Sequence, residues 1–103
     1  MRALTGAGKN EVSGKVAAAV GLNVARHRQA LGLSQEEVAD RAGLHRTEIS
    51  LMELGKRTPR IDTIVRVSGA LGISIAEAFV GISWSPFPEK LGGYLDLEEK
   101  AWP

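Results

Sequence analysis

Apolar residues recur through most of this chain at the three- and four-residue intervals of a helix. Val16, Val20, Val24, His27 and Leu31 share one face of a segment from Lys15 to Leu31, and Gly32 stops it. Ser34 opens a second segment. Its hydroxyl is placed to accept from the Glu37 backbone N–H while the Glu37 carboxylate accepts from the Ser34 N–H, a capping box. Leu33 and Val38 stand around it as a hydrophobic staple, and Val38, Ala39 and Ala42 carry the helix to Gly43. The layout then repeats. His45 stands at the cap, Glu48 three residues on, Leu44 and Ile49 in the staple positions, and the third helix runs to about Leu54 before Gly55. After the basic loop Lys56-Arg57-Thr58-Pro59, the residues Ile61, Ile64, Val65, Ser68 and Leu71 give a fourth helix ended by Gly72. A further capping box, Ser74 with Glu77, starts a fifth helix that includes Ile75, Ala78 and Phe79.

Five short helices predict an all-α bundle. Residues 1–13 lack periodicity and read as a flexible N-terminal arm, residues 14–80 as the helical domain and residues 81–103 as an irregular tail. All five aromatic residues, Phe79, Trp84, Phe87, Tyr94 and Trp102, lie at or beyond position 79. Pro86, Pro88, Gly92 and Gly93 break up the tail, and Trp84 and Phe87 are expected to fold back over the core and share in a dimer contact.

Composition removes several function classes. With no cysteine and only two histidines, His27 and His45, no disulfide, metal site or cofactor is expected. No apolar run is long enough to cross a bilayer and residues 1–13 carry no secretory signal, so the expected location is cytoplasmic. Gly8-Lys9 lies in a stretch that fails the phosphate-loop pattern, because Ala3 stands at the first glycine position and Asn10 at the hydroxyl position. The adjacent Glu36 and Glu37 point in different directions on a helix, and Asp96, Glu98 and Glu99 read as solvated charge. No catalytic residue and no enzymatic activity are expected.

Net charge is only +1, but it is unevenly spread. Nine basic residues face six acidic ones between Lys15 and Arg66, while acidic residues outnumber basic ones five to two from Val67 onward. The middle of the chain is thus the part suited to phosphate. It also holds two short helices, each with its own start signal, meeting at Gly43. That is the spacing of a helix-turn-helix.

Leu33-Ser34-Gln35-Glu36-Glu37-Val38-Ala39, Ala42-Gly43-Leu44, Ile49-Ser50, Glu53, Gly55-Lys56-Arg57-Thr58-Pro59 and Leu71-Gly72-Ile73-Ser74 together resemble the Cro/C1-type (Xre-like) helix-turn-helix family over about residues 20–80. The resemblance implies a five-helix lambda-repressor-like bundle that binds double-stranded DNA. It implies a transcriptional regulator, most often a repressor, acting as a homodimer on two-fold operators with the helix at 45–54 in the major groove. Arg46 matches the family's base-reading position, where a guanidinium donates twice to guanine O6 and N7. His45, Thr47, Ser50 and Leu51 complete the expected base-facing set, with His45 open to either a phosphate or a base. Gln35, Lys56, Arg57 and Thr58 are expected against phosphates, Gln35 also bracing the recognition helix. Arg28 and Glu53 match positions that pair in the family, so a structural salt bridge is expected there, alongside Ser34, Glu37 and Gly43 as structural residues.

Leu51 and Leu54 depart from the family, where these positions are often polar or basic. They suit either thymine methyls or a protein partner. The alternative function is therefore a protein-interaction module or antitoxin on the same fold, using Leu51, Leu54 and the aromatic tail. Arg60 replaces the usual hydroxyl cap of the fourth helix, a loss of about 1 kcal/mol.

Overall fold

The computed structural model describes residues 2–6, 9–86 and 93–98. It contains β1 (Arg2–Gly6), α1 (Lys9–Ala30), α2 (Gln35–Ala42), α3 (Arg46–Glu53), α4 (Ile61–Leu71), α5 (Ile75–Ala78), β2 (Ile82–Ser85) and β3 (Tyr94–Glu98). The five-helix bundle is as the hydrophobic spacing predicts. Its core is built from Val20 and Val24 of α1, Val38, Ala39 and Ala42 of α2, Ile49 and Met52 of α3, and Val67 and Leu71 of α4. Both staples hold: Leu33 and Leu44 pack partly buried against the core that contains Val38 and Ile49.

Both ends differ from expectation. Residues 2–6, expected as a flexible arm, form a strand, and α1 starts at Lys9, well before Lys15. The tail, expected to be irregular, supplies two strands. Together they make a three-stranded sheet in the order β1-β3-β2, with both pairings antiparallel. For β1 the cause is long-range: Arg2 pairs with Glu98 and Gly6 with Tyr94, so its ladder lies at the other end of the sequence, whereas β2 pairs with nearby β3. Trp84, expected to fold over the core, is 45 % exposed on β2, whereas Ile82 of the same strand packs against the core. Phe87, Glu99 and Trp102 lie outside the described residues. Ile61, Val65 and Ile75 also turn outward on their helices, and Leu31 lies exposed beyond the end of α1.

Asn23 joins bundle to sheet. It is buried on α1 between Val20 and Val24, and its Nδ2 donates to the carbonyls of Ala78 and Val80, each at 3.0 Å. Those bonds satisfy both N–H donors of the amide and hold the turn that leads into β2.

Candidate nucleic-acid interface

The turn between α2 and α3 depends on Gly43. It sits in the left-handed region at φ 69° and ψ 37°, where a side chain is strained, and the following Leu44 N–H donates to the Ala39 carbonyl at 2.9 Å. Arg66 of α4 donates from Nη1 to the Gly43 carbonyl at 3.2 Å and so holds the turn from outside. On the α2 side the capping box is complete. Glu37 N donates to Ser34 Oγ at 3.0 Å and Ser34 N to Glu37 Oε1 at 2.9 Å. Hydrogen bonding from Ser34 to the ionised carboxylate, most from its backbone N–H and less from its side chain, holds the Glu37 carboxyl below its ordinary pKa. On the α3 side only the carboxylate half is made by a side chain: His45 N donates to Glu48 Oε2 at 3.0 Å. The imidazole makes no capping bond and stands exposed.

α3 buries Ile49 and Met52 and turns its other face outward. His45, Arg46 and Thr47 are exposed, Ser50 and Leu51 half-buried, and Leu54, at the helix end, is 66 % exposed. The expected base-facing residues are therefore all at least partly accessible, His45 at the cap and Arg46, Thr47, Ser50 and Leu51 on α3. Arg46 is its first residue, where a side chain meets a groove first.

That helix is locked from behind at Glu53. The Arg28 guanidinium forms a fork onto its carboxylate, Nε to Oε2 at 2.7 Å and Nη2 to Oε1 at 3.0 Å. The two side chains are only 15 % and 7 % exposed, so the pair predicted from the sequence is largely withdrawn from water. The bond to Glu53 raises the Arg28 pKa further above its ordinary value, against the opposing effect of burial. Arg28 Nη1 also donates to the Leu33 carbonyl at 2.9 Å, and Gln35 Nε2 donates to Glu53 Oε1 at 3.0 Å. One carboxylate thus ties α1, α2 and α3 together. Gln35, expected at a phosphate, gives one amide proton to this brace.

Beyond α3, Lys56, Arg57 and Thr58 are exposed on the loop to α4. The loop is held against α1 in two ways. Thr58 Oγ1 and Ser13 Oγ are hydrogen-bonded at 2.9 Å, and a Cβ on Gly55 would lie 2.7 Å from the Ala18 Cα. One turn further along α1, a Cβ on Gly21 would collide with the Met52 carbonyl oxygen. Ser13, Gly21 and Arg66 were not singled out from the sequence. The small residues Gly14, Ala17, Ala18 and Gly21, which recur at helical spacing, were the available signal for the close approach of α1 to α3.

Arg60, at the start of α4, makes no capping bond through its side chain, as its residue type predicts, and instead pairs with Asp62 at 3.1 Å on the surface. Among the described residues no group of three or more His, Cys, Asp or Glu is placed to hold a metal ion. Nor is any helix among them long and apolar enough to cross a membrane.

Two capped helices meeting at a left-handed glycine, the second with its polar face open and a basic loop beyond it, define a helix-turn-helix DNA-binding domain. The chain belongs to the helix-turn-helix family of the Cro/C1 type, whose family model matches residues 24–77, more than half of its length. It is 40% identical over 68 residues to the HTH-type transcriptional regulator y4dJ of Sinorhizobium fredii, covering 66% of this chain and 88% of that one. It is 38% identical over 53 residues to the control protein C.SmaI of Serratia marcescens, covering 52% of this chain and 63% of that one. Among solved structures it is similar to the restriction-modification controller protein C.AhdI from Aeromonas hydrophila, with a TM-score of 0.60 and 33% identity over 61% of this chain and 96% of that one. The family match begins inside α1, so about the first two-thirds of α1 and the three-stranded sheet lie outside it.

Proposed function

We infer that this chain is a sequence-specific double-stranded DNA-binding transcriptional regulator, acting as a repressor, that lays α3 in the major groove. The observation that carries this reading is the exposed face of α3, led by Arg46 and braced through Glu53. His45, Arg46, Thr47, Ser50 and Leu51 meet base edges. Lys56, Arg57, Thr58 and the first turn of α2 at Gln35 meet phosphates and set register rather than sequence. The regulator works by binding and not by catalysis, in the cytoplasm. It binds as a homodimer whose two α3 helices enter successive major grooves about one helical turn apart. Ile61 and Val65, exposed on one face of α4, support self-association.

Selection of bound duplexes from a random pool tests the reading, followed by affinity measurements across salt concentrations. A two-fold symmetric sequence is expected, with log K falling by about 0.9 per log unit of salt for each phosphate contacted. Arg46→Ala should relax preference at one base pair, at a discrimination of about 1–3 kcal/mol. If Arg46→Ala instead weakened every duplex equally, Arg46 would be a phosphate ligand and α3 would not be reading through it.

A further inference from the structure

The outward face of α3 is divided lengthwise. Successive residues of a helix turn by about 100°, so Arg46 and Ser50 form one row and Thr47, Leu51 and Leu54 another beside it. The first row is made of hydrogen-bonding groups. The second is made of methyl groups: the Thr47 side chain is exposed, Leu51 half-buried and Leu54 largely bare. Leu54 faces solvent and Leu51 is left partly exposed on an element that buries Ile49 and Met52 fully. Leu54 contributes little to the fold where it is.

We propose that the Thr47-Leu51-Leu54 row is a reader of pyrimidine C5-methyl groups in the major groove, resting on the assignment of α3 as the base-reading helix. Three observations favour a methylated groove over an apolar protein surface as the occupant. The apolar row is one side chain wide and has Arg46 and Ser50 alongside it, where a protein partner would want contiguous apolar area. Exposed basic groups, Lys56 and Arg57, follow it directly, as phosphates at the edge of a groove require. A polar row beside an apolar row also matches the groove floor, where guanine offers O6 and N7 and a neighbouring pyrimidine offers a methyl at C5. The methyl can come from thymine or from 5-methylcytosine, which present the same group at the same place.

The test starts from the duplex enriched by selection from an unmodified random pool. Each thymine of a half-site is replaced singly by deoxyuridine, which removes the C5-methyl and leaves pairing and edge hydrogen bonds unchanged. In parallel, each cytosine is replaced by 5-methylcytosine. At one or more positions, loss of the methyl should weaken binding by the unaltered protein about fourfold, the effect of losing one buried carbon. Leu51→Ala or Leu54→Ala should bind the thymine and deoxyuridine duplexes alike at those positions. Leu54 is exposed, so its alanine variant is expected to keep the thermal midpoint and test recognition rather than folding. If deoxyuridine has no effect but a 5-methylcytosine raises affinity, and the alanine variants lose that gain, the methylated base is the source. An enriched duplex indifferent to every methyl, or methyl discrimination that survives both alanine variants, overturns the inference while leaving base reading by α3 intact. A pool from which no sequence is enriched overturns both.

Discussion

Replacing Glu53 by alanine removes the one carboxylate on which three elements converge. Arg28 would keep a single side-chain bond, to the Leu33 carbonyl, and Gln35 Nε2 would lose its acceptor. Removing one partner of a buried ion pair typically costs about 3–5 kcal/mol because the remaining charge stays poorly solvated. Arg28 is 15 % exposed and retains the Leu33 bond, so the cost is discounted below that range to about 2–3 kcal/mol. For a domain of this size that is a fall of roughly 10–20 °C in Tm. Urea unfolding followed by circular dichroism measures the free energy, and a thermal scan the midpoint. The double variant Arg28→Met with Glu53→Met replaces both charges by apolar chains and should recover most of the loss, because the cost lies in the stranded charge rather than in the absent bond. A Glu53→Ala variant within 0.5 kcal/mol of the parent, by a tolerance of about the size expected for neutral surface changes, would refute the reasoning. So would a double variant whose loss equals the sum of the two single ones.

Ser34→Ala should cost about 1 kcal/mol by removing the hydroxyl from the α2 cap, read from chemical denaturation. The reciprocal Glu37 bond has a pH signature. Its carboxyl pKa is lowered in the folded chain, so its contribution is full above the ordinary carboxylate range and is lost as pH falls through the lowered value. Stability against pH should therefore drop on the acid side less steeply in Glu37→Gln, which has no carboxyl to titrate, than in the parent. Gly21→Ala forces a methyl into the Met52 carbonyl and should destabilise by about 1–3 kcal/mol, while Gly14→Ala on the same helix, where nothing lies within 4 Å, should not. Ile61 is 83 % exposed, and in the proposed homodimer Ile61→Lys should shift the equilibrium toward monomer in sedimentation analysis without lowering helix content.

What the sequence disclosed follows the range of the interactions involved. The capping boxes at Ser34 and Ser74 are contacts over three residues, and the left-handed turn at Gly43 is a property of one residue, so both can be read locally. The face of α3 is equally legible, because a helix places its residues by simple rotation. Arg28 with Glu53 became legible through family resemblance rather than through spacing. Asn23 was overlooked although it interrupts an apolar face between Val20 and Val24, the mark of a buried amide with partners elsewhere. The strands were less legible: Ile82-Ser83-Trp84-Ser85 and Leu95-Asp96-Leu97-Glu98 do alternate apolar and polar residues, but over only four residues each, while β1 shows no alternation and exists by pairing with a distant segment. The outward-facing Ile61, Val65 and Ile75 fit helical spacing as well as core residues do, and only the packing of α4 and α5 distinguishes them.

The pairing of Arg2 with Glu98 also governs the order of events when the chain folds or opens. Among the described residues, closing a loop that spans almost the whole polypeptide carries the largest loop-closure cost, whereas each helix nucleates within its own neighbourhood. The β1–β3 ladder should accordingly be the last part to assemble and the first to exchange its amide protons, with the recognition helix already in place while the two ends are still apart.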